Sequence, residues 1–297
     1  PSRPLLIGYL VVKLKLHDSN ISNLFYMSQD EGWDYLIDKI CEREAHQINE
    51  ASIEPLYIRE FIERLATKAR LTSSGRGPIH MRDIDETYTS VFGYRPDERA
   101  EVLILRMPGF TATQSDENAR EFLDDDFVDA CRAGDIVRYI NDPYNANVPK
   151  LKDATFEMGD LGVSISSMKC LYQGFSQRKL SLALDHLQNK YGNPTIMFDV
   201  VRTLQYSNLK YDGPNVNIYE GIFRYFYLDK NLNIDNITFD SCLFVHLDFD
   251  QHLKYSLKFK FESCNIEYVS GVFSKENLDK ILHNNNCEIG EFSDEVK

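Results

Sequence analysis

The chain lacks any apolar run close to the roughly 20 residues that a membrane-spanning helix needs. Its six cysteines are too thinly spread for a secreted disulfide scaffold, and no signal peptide is visible. We therefore expect a cytoplasmic protein. Basic residues are also scarce, since 33 Lys and Arg face 46 Asp and Glu, a formal net charge of -13. That charge opposes a broad surface for nucleic-acid phosphates.

Short catalytic motifs are absent as well. The sequence has no GxxxxGK[ST] phosphate loop, no GxGxxG after a strand, no GxSxG elbow and no HExxH pair. Isolated histidines such as His46, His80 and His186 have no motif around them. There is no CxxC or HxxxH pair to anchor zinc, so we expect no metal in this chain. The sequence predicts no catalytic centre of its own.

The first half of the chain has an order of elements typical of a winged-helix domain. The predicted elements are helices over Trp33–Ile48 and Glu54–Arg70, a short strand at Ile79, helices over Met81–Phe92 and Pro96–Met107, and a hairpin of Phe110–Thr113 with Ala119–Leu123. The third helix of the winged helix, PDERAEVLILRM, mixes acidic and arginine side chains. Recognition of DNA bases by this helix would require more positively charged side chains on its exposed face, so we favour a packing and regulatory role.

A further helix is predicted over Asp124–Ile140, with carboxylates at Asp124, Asp125 and Asp126 in its first turn. Acidic residues suit the positive end of a helix dipole. A metal site is the alternative, but adjacent residues on a helix point about 100° apart and do not converge on one ion. The Pro- and Asn-rich segment Asp142–Lys150 is the favoured domain boundary.

The second half changes from helix to strand. Leu180, Leu184 and Leu187 share one helix face, and Ile196–Leu204 forms another short apolar helix. From Val216 onward, aromatic and β-branched residues alternate with polar ones, which is typical of strands.

A repeat of roughly 22 residues underlies these strands. Its key positions are Gly221, Cys242, Cys264 and Cys287. Even spacing is what a solenoid requires, because each coil places equivalent side chains over those of the coil below. We expect these small residues at a tight inward corner, with cysteine acting as a small hydrophobe rather than as a zinc ligand. The predicted fold class is α+β: an all-helical and winged-helix N-terminal domain, a small helical region and a right-handed β-solenoid-like, pentapeptide-like stack.

Several segments of the first half resemble one protein family. RPLLIGYL, the WDYLIDKICEREA and FIERLATKAR helices, GRGPI and REFLDDDFVDACRAGD resemble the region after the nucleotide-binding core in bacterial NACHT-type STAND NTPases. The resemblance covers about Arg3–Ile140. It implies the end of a helical lid domain over 1–30, a winged-helix domain over 31–141, a helical connector over 150–212 and the repeat stack over 213–297.

The resemblance also implies contacts with ATP or ADP in the parent protein. Pro4 matches the proline that packs against the adenine ring. Phe122-Leu-Asp124 matches the motif in which a histidine senses the inner phosphates, with Asp124 in place of that histidine. Because a carboxylate repels a diphosphate unless a cation intervenes, helix capping is the alternative role of Asp124.

At the level of function, the resemblance implies anti-phage immune signalling. By this resemblance the stack detects an unknown ligand, such as a phage component, and the nucleotide-dependent core opens and forms a homo-oligomer. The abrupt apolar start without Met leads us to expect a fragment whose upstream NTPase domain supplies the phosphate loop and ATP hydrolysis. Two other readings stay open: an acidic repeat protein that mimics DNA, which Lys254, Lys258 and Lys260 oppose, and a winged-helix DNA-binding regulator.

Overall fold

The computed structural model describes residues 27–47, 53–97, 107, 109–114, 116–145, 154–188, 192–209, 211, 213–228, 236–250, 259–271, 278, 282 and 286–293. Within them the protein is mixed α+β, with seven helices and nine strands, which confirms the fold class at that level. The chain divides into two compact units, Pro1–Asp135 with Met158–Ser166 and Ile136–Glu157 with Ser167–Lys297. Two of the dividing points lie inside helices, whereas the sequence favours a boundary at 142–150.

Six of the seven described helices follow the predicted apolar periodicity. The helix over 160–172 lies within the helical connector expected over 150–212, but the sequence does not predict it as a separate element. The bounds of the seven helices are α1 (Gln29–Gln47), α2 (Pro55–Ala69), α3 (Met81–Phe92), α4 (Asp125–Asn141), α5 (Asp160–Tyr172), α6 (Gln177–His186) and α7 (Pro194–Tyr206). Pro55 occupies the first turn of α2, and Gly93 ends α3 in the left-handed conformation with φ 80°. The helix predicted over 96–107 lies outside the described residues, apart from its ends.

Helix α1 begins earlier than its apolar pattern predicts. The first buried apolar residue is Trp33, yet the helix starts at Gln29. The reason is a capping box, in which Glu31 accepts the backbone N–H of Ser28 at 3.0 Å and the Ser28 hydroxyl accepts the N–H of Glu31 at 3.4 Å. Local side-chain hydrogen bonds therefore set this helix start.

A small antiparallel sheet follows α3 in the first unit. Strand β1 (Phe110–Ala112) pairs with β2 (Arg120–Phe122), as the sequence predicts for a hairpin. Ile79 pairs with the other edge of β2, because its N–H donates to the Arg120 carbonyl at 2.7 Å and its carbonyl accepts the Arg120 N–H at 2.9 Å. The predicted short strand at Ile79 is thus a single bridged position.

The second unit contains two parallel sheets. Their strands are β3 (Val216–Tyr219), β4 (Ile222–Leu228), β5 (Ile237–Asp240), β6 (Leu243–Phe249), β7 (Phe259–Glu262), β8 (Asn265–Ser270) and β9 (Glu288–Phe292). One sheet has the order β3-β5-β7 and the other β4-β6-β8-β9. From β3 to β8, successive strands alternate between the two sheets.

Aromatic rings from both sheets share one core. The ring centroid of Phe239 in β5 lies 5.3 Å from that of Phe244 in β6 and 5.5 Å from that of Phe261 in β7. All three side chains are fully buried. Helix α7 covers the start of this core, since Phe198 stacks on Phe223 at 4.1 Å.

The corners between the sheets use left-handed residues. Glu220, Ser241, Ser263 and Asn286 have φ between 51° and 58°, and each immediately precedes one of the four key repeat positions. The sequence places the tight corner at Gly or Cys itself, whereas the left-handed residue is the one before it. Serine, asparagine and glutamate tolerate this conformation at a modest energetic cost. A sequence pattern that looks only for glycine at a left-handed corner therefore does not find these residues.

We expect the substitution Ser263→Val to lower the free energy of unfolding of the second unit by about 1 to 2 kcal/mol. Ser263 is exposed with φ 51°, a conformation in which a β-branched side chain is strongly disfavoured. Urea denaturation followed by far-UV circular dichroism measures the change. Thr238→Val in β5 is the matched control, because a strand position favours valine, and an equal loss in both variants would contradict the corner assignment.

Candidate ligand-recognition face

The outward side of the four-stranded sheet carries a row of rings. Tyr225, His246 and Tyr268 are half-buried register partners on β4, β6 and β8. Ring centroids are 5.1 Å apart for Tyr225 and His246 and 4.7 Å apart for His246 and Tyr268, both in edge-to-face contact. We define the tyrosine–histidine face as this row with the residues two places later on each strand, that is Tyr225, Tyr227, His246, Asp248, Tyr268 and Ser270.

Hydrogen bonds connect this face across the strands. The Asp248 carboxylate accepts the Tyr225 hydroxyl at 3.1 Å and the Ser270 hydroxyl at 2.6 Å. Because the Ser270 proton goes to Asp248, the 2.8 Å contact between His246 Nε2 and Ser270 Oγ has the imidazole N–H as its donor.

The three polar groups differ from a serine-hydrolase triad in the order of their hydrogen bonds. In a serine hydrolase the carboxylate orients the histidine, and the histidine takes the serine proton. Here the Ser270 hydroxyl donates directly to Asp248, and His246 donates to the serine oxygen. The hydrogen-bond order of a serine-hydrolase triad is therefore not present in this network.

Beyond Tyr268 the row ends in acidic residues. Glu291 on β9 is the register partner of Tyr268, and Glu267 precedes Tyr268 on β8. The β8 backbone approaches Gly290 closely, since a Cβ there would lie 2.7 Å from the Glu267 carbonyl oxygen. Both glutamates are exposed and lack an ion-pair partner among the residues that the structure describes.

Of the two nucleotide contacts implied by the resemblance, only Asp124 lies within the described residues; Pro4 lies outside them. Asp124 caps α4, where its Oδ1 accepts the N–H groups of Asp126 at 2.9 Å and Phe127 at 3.2 Å. Its carboxylate already uses the first-turn amides and adds negative charge beside them. These residues do not fit a phosphate of ATP or ADP at this helix end.

The strand ladder places Gly221, Cys242, Cys264 and Cys287 at equivalent positions, one residue before β4, β6, β8 and β9. The amides that follow the three cysteines donate to the carbonyls of Gly221, Cys242 and Cys264 at 2.8, 2.8 and 2.9 Å. At Gly221 a Cβ would lie 2.3 Å from the Phe223 ring. That ring fills the space which a side chain at position 221 would need.

The thiols of these cysteines make one repeated contact. Those of Cys242, Cys264 and Cys287 donate to the carbonyl oxygens of Ile218, Phe239 and Phe261 at 3.3, 3.3 and 3.4 Å. A hydrogen bond between neighbouring thiols raises the pKa of Cys264 to about 12 and lowers the pKa of Cys242. All six cysteines are free and buried. Over the described ranges, no group of three or more His, Cys, Asp or Glu side chains could hold a metal ion.

Side chains from outside the sheet cover the open edge of β4. Glu157 accepts the Arg224 backbone N–H at 2.9 Å, and the Gln205 side chain donates to the Tyr227 carbonyl at 2.6 Å. The Arg224 guanidinium lies 4.4 Å from the centre of the Phe156 ring. These contacts satisfy backbone groups that an edge strand would otherwise expose.

We expect Glu157 to make the stability of the second unit depend on pH. Burial raises the pKa of Glu157 to about 7, against 4.5 for the ordinary carboxyl, while the Arg202 charge opposes this shift. The folded state therefore holds the proton more tightly, so this contribution is complete below pH 4.5 and is lost as the pH rises through 7. Between these values the free energy of unfolding falls by up to about 3 kcal/mol.

Urea denaturation of the native protein and of Glu157→Gln across this pH range measures the effect. The glutamine keeps an oxygen acceptor but does not titrate, so the difference between the two proteins isolates Glu157. Parallel pH profiles for the two proteins would contradict the assignment.

Sequence reasoning missed the tyrosine–histidine face, although a signal was present. In the aligned repeat, the fourth residue after each key position is Tyr225, His246, Tyr268 and Glu291. A period-two pattern treats such residues as ordinary outward positions. Only the strand register shows that they stand side by side.

Comparison of the chain with protein-family models, with curated proteins and with solved structures gives no match. Among the described helices, none combines the length and the apolar character needed to cross a bilayer. The assignment of function therefore depends on the residues and geometry presented above.

Proposed function

We propose that this chain is the regulatory and sensor part of a bacterial NACHT-type STAND NTPase in anti-phage immune signalling. The tyrosine–histidine face carries the proposal: it is a rigid, outward, polar and aromatic surface without an activated nucleophile. Such a surface suits recognition of a partner rather than chemistry on a substrate. ATP is bound and hydrolysed by a phosphate-loop domain upstream in the same cytoplasmic polypeptide.

In this proposal the first unit contains the winged-helix domain that regulates the nucleotide-bound core. Support comes from the order α2, bridged Ile79, α3 and the β1–β2 hairpin, which is the order of a winged helix with its wing. The cap that Asp124 forms on α4 agrees with a structural role for this residue. A packing module needs no basic recognition surface, which is consistent with the net charge of -13.

The second unit, in the same proposal, is a right-handed β-solenoid that displays the recognition face. Three features support it: strands that alternate between two parallel sheets, left-handed corners at each turn, and thiol contacts repeated from coil to coil. Helix α7 then serves as the cap that a solenoid needs at its end. Ligand binding at the face favours the open form of the nucleotide-dependent core, which assembles into a homo-oligomer.

The coding sequence upstream of Pro1 provides the first test. We expect it to encode a GxxxxGK[ST] loop in the same reading frame, and we expect the isolated chain of 297 residues to bind no ATP in equilibrium dialysis. A reading frame that begins at Pro1, or tight ATP binding by the isolated chain, would overturn the proposal.

A phage challenge tests the sensor role in cells that carry the whole gene. Tyr268→Leu is expected to abolish protection, because it removes a ring and a hydroxyl from the tyrosine–histidine face. Tyr219→Leu is the matched control, since Tyr219 is exposed on the other sheet. Equal protection by both variants would remove the face from the sensing step.

A further inference from the structure

We propose that residues 154–157 form a strap over the outer edge of β4, which is closed while Glu157 carries a proton and opens when Glu157 is ionised. We call these four residues the edge strap. The inference goes beyond the proposed function, because it concerns a conformational switch within the second unit and does not depend on which ligand the stack recognises.

Side-chain contacts hold the edge strap at both of its ends. At one end, the Asn193 side chain donates to the Ala154 carbonyl at 3.3 Å, and both residues are buried. At the other end, the Arg224 guanidinium lies 4.4 Å from the centre of the Phe156 ring, and the Glu157 carboxylate accepts the Arg224 N–H at 2.9 Å. The strap has no regular secondary structure of its own. Segments held by few contacts of this kind open at a lower free energy than the sheet beside them.

Glu157 supplies the acceptor that a preceding strand would provide. The amides of Leu243, Asn265 and Glu288 each donate to a carbonyl next to the strand before them. β4 is the first strand of its sheet and has no such neighbour among the described residues, so the Arg224 amide donates to a carboxylate instead. An open strap exposes this amide to water.

The edge strap contains one ionisable side chain, that of Glu157. The charged groups that face it are Asp199 and Arg202 of α7 and Arg224 of β4. Burial raises the pKa of Glu157 to about 7, against the opposing charges of Arg202 and Arg224. In the open strap the carboxyl is hydrated, and its pKa returns to the ordinary value of 4.5.

The direction of the switch follows from these two values. The closed strap binds the proton more tightly than the open strap, so closure is fully favoured below pH 4.5. That advantage is lost as the pH rises through 7. Opening uncovers the edge of β4, the strand on which the tyrosine–histidine face begins, and unpaired strand edges are open to addition of another strand. The closed strap is therefore also a protective cover.

Native-state amide exchange of the whole chain, followed by NMR, measures opening at the Arg224 amide. We expect the protection factor of this amide, which is corrected for the intrinsic pH dependence of exchange, to fall about tenfold to a hundredfold between about pH 5 and pH 8. In Glu157→Gln the change is expected to be less than about twofold, because the glutamine does not titrate. Glu267→Gln is the matched control, since Glu267 is an exposed carboxylate on β8 of the same sheet. It is expected to keep the native pH profile.

Low, non-denaturing concentrations of urea separate opening of the strap from unfolding of the unit. Local opening exposes little surface, so exchange of the Arg224 amide is expected not to depend on urea. The Asn265 amide lies in the ladder between β6 and β8, and its exchange is expected to accelerate with urea.

Three outcomes would overturn the inference: a constant Arg224 protection factor in the native protein, equal pH profiles for the native protein and Glu157→Gln, or the same urea dependence for Arg224 and Asn265. The first and third need only the native protein, so they decide the matter even if Glu157→Gln does not fold. None of the three bears on the phosphate loop expected upstream.

Discussion

Arg59→Met is expected to lower the free energy of unfolding of the first unit by about 3 to 5 kcal/mol. Arg59 is buried between α1 and α2, where its Nε donates to Glu63 Oε1 at 2.8 Å. Its two terminal nitrogens contact the carboxylates of Asp34 and Asp38. Methionine fills much of the space of the arginine stem but leaves the buried Glu63 without this guanidinium partner.

The single tryptophan makes this prediction convenient to measure. Trp33 lies in α1 of the same unit, 6.3 Å between ring centroids from Phe127, so its fluorescence in urea reports unfolding of the first unit. Arg82→Met is the matched control. Its side chain is 88% exposed beside Glu86, and we expect no measurable change in the free energy of unfolding.

A second substitution tests whether the loss comes from the buried Glu63 carboxylate. Adding Glu63→Leu to Arg59→Met is expected to recover part of the loss, because it removes the buried charge. Equal stability of Arg59→Met and Arg82→Met would mean that the buried carboxylates do not depend on Arg59.

Phe198→Ala is expected to destabilise the second unit by about 3 to 5 kcal/mol. The Phe198 ring is fully buried on α7 and stacks on Phe223 at 4.1 Å. It also meets Phe226 edge-to-face at 5.0 Å. Removing the ring leaves a cavity where α7 covers the first strands, and repeated structures lose stability when a terminal cap is lost.

Amide hydrogen exchange locates this effect, since the only tryptophan lies in the first unit. We expect strands β3 and β4 of Phe198→Ala to lose protection before the later strands. Tyr172→Ala on α5 serves as the control, because Tyr172 is 75% exposed. Uniform loss of protection from β3 to β9 would contradict a capping role for Phe198 and indicate that the unit unfolds as one.

Much of the fold was predictable, because burial imposes periodicity. The apolar faces of α2, α3 and α7 appear at helical spacing in the sequence, and the helices occur within a few residues of the predicted bounds. The alignment on Gly221, Cys242, Cys264 and Cys287 agrees with the strand register. Identical spacing of similar residues leaves few alternative pairings for parallel strands.

The candidate site was less predictable, because its contacts join residues far apart in the chain. Glu157 meets the Arg224 amide only after the irregular segment following 154 reaches the edge of β4. The bond of His246 to Ser270 likewise requires two separate strands in register. The residues next to these positions in the sequence do not indicate either contact.

The sequence by itself determined the helices, the repeat and its register. Each follows from the regular spacing of the apolar side chains that are buried on folding. Tertiary structure decided which polar groups meet. It turned Asp124 into a helix cap, moved the left-handed corner to the residue before each key position, and assembled outward side chains of separate strands into the tyrosine–histidine face. Hydrophobic burial is non-directional, so the composition and the spacing of apolar residues along the sequence are enough to predict it. Hydrogen bonds depend on distances between groups that are set only once the chain is folded.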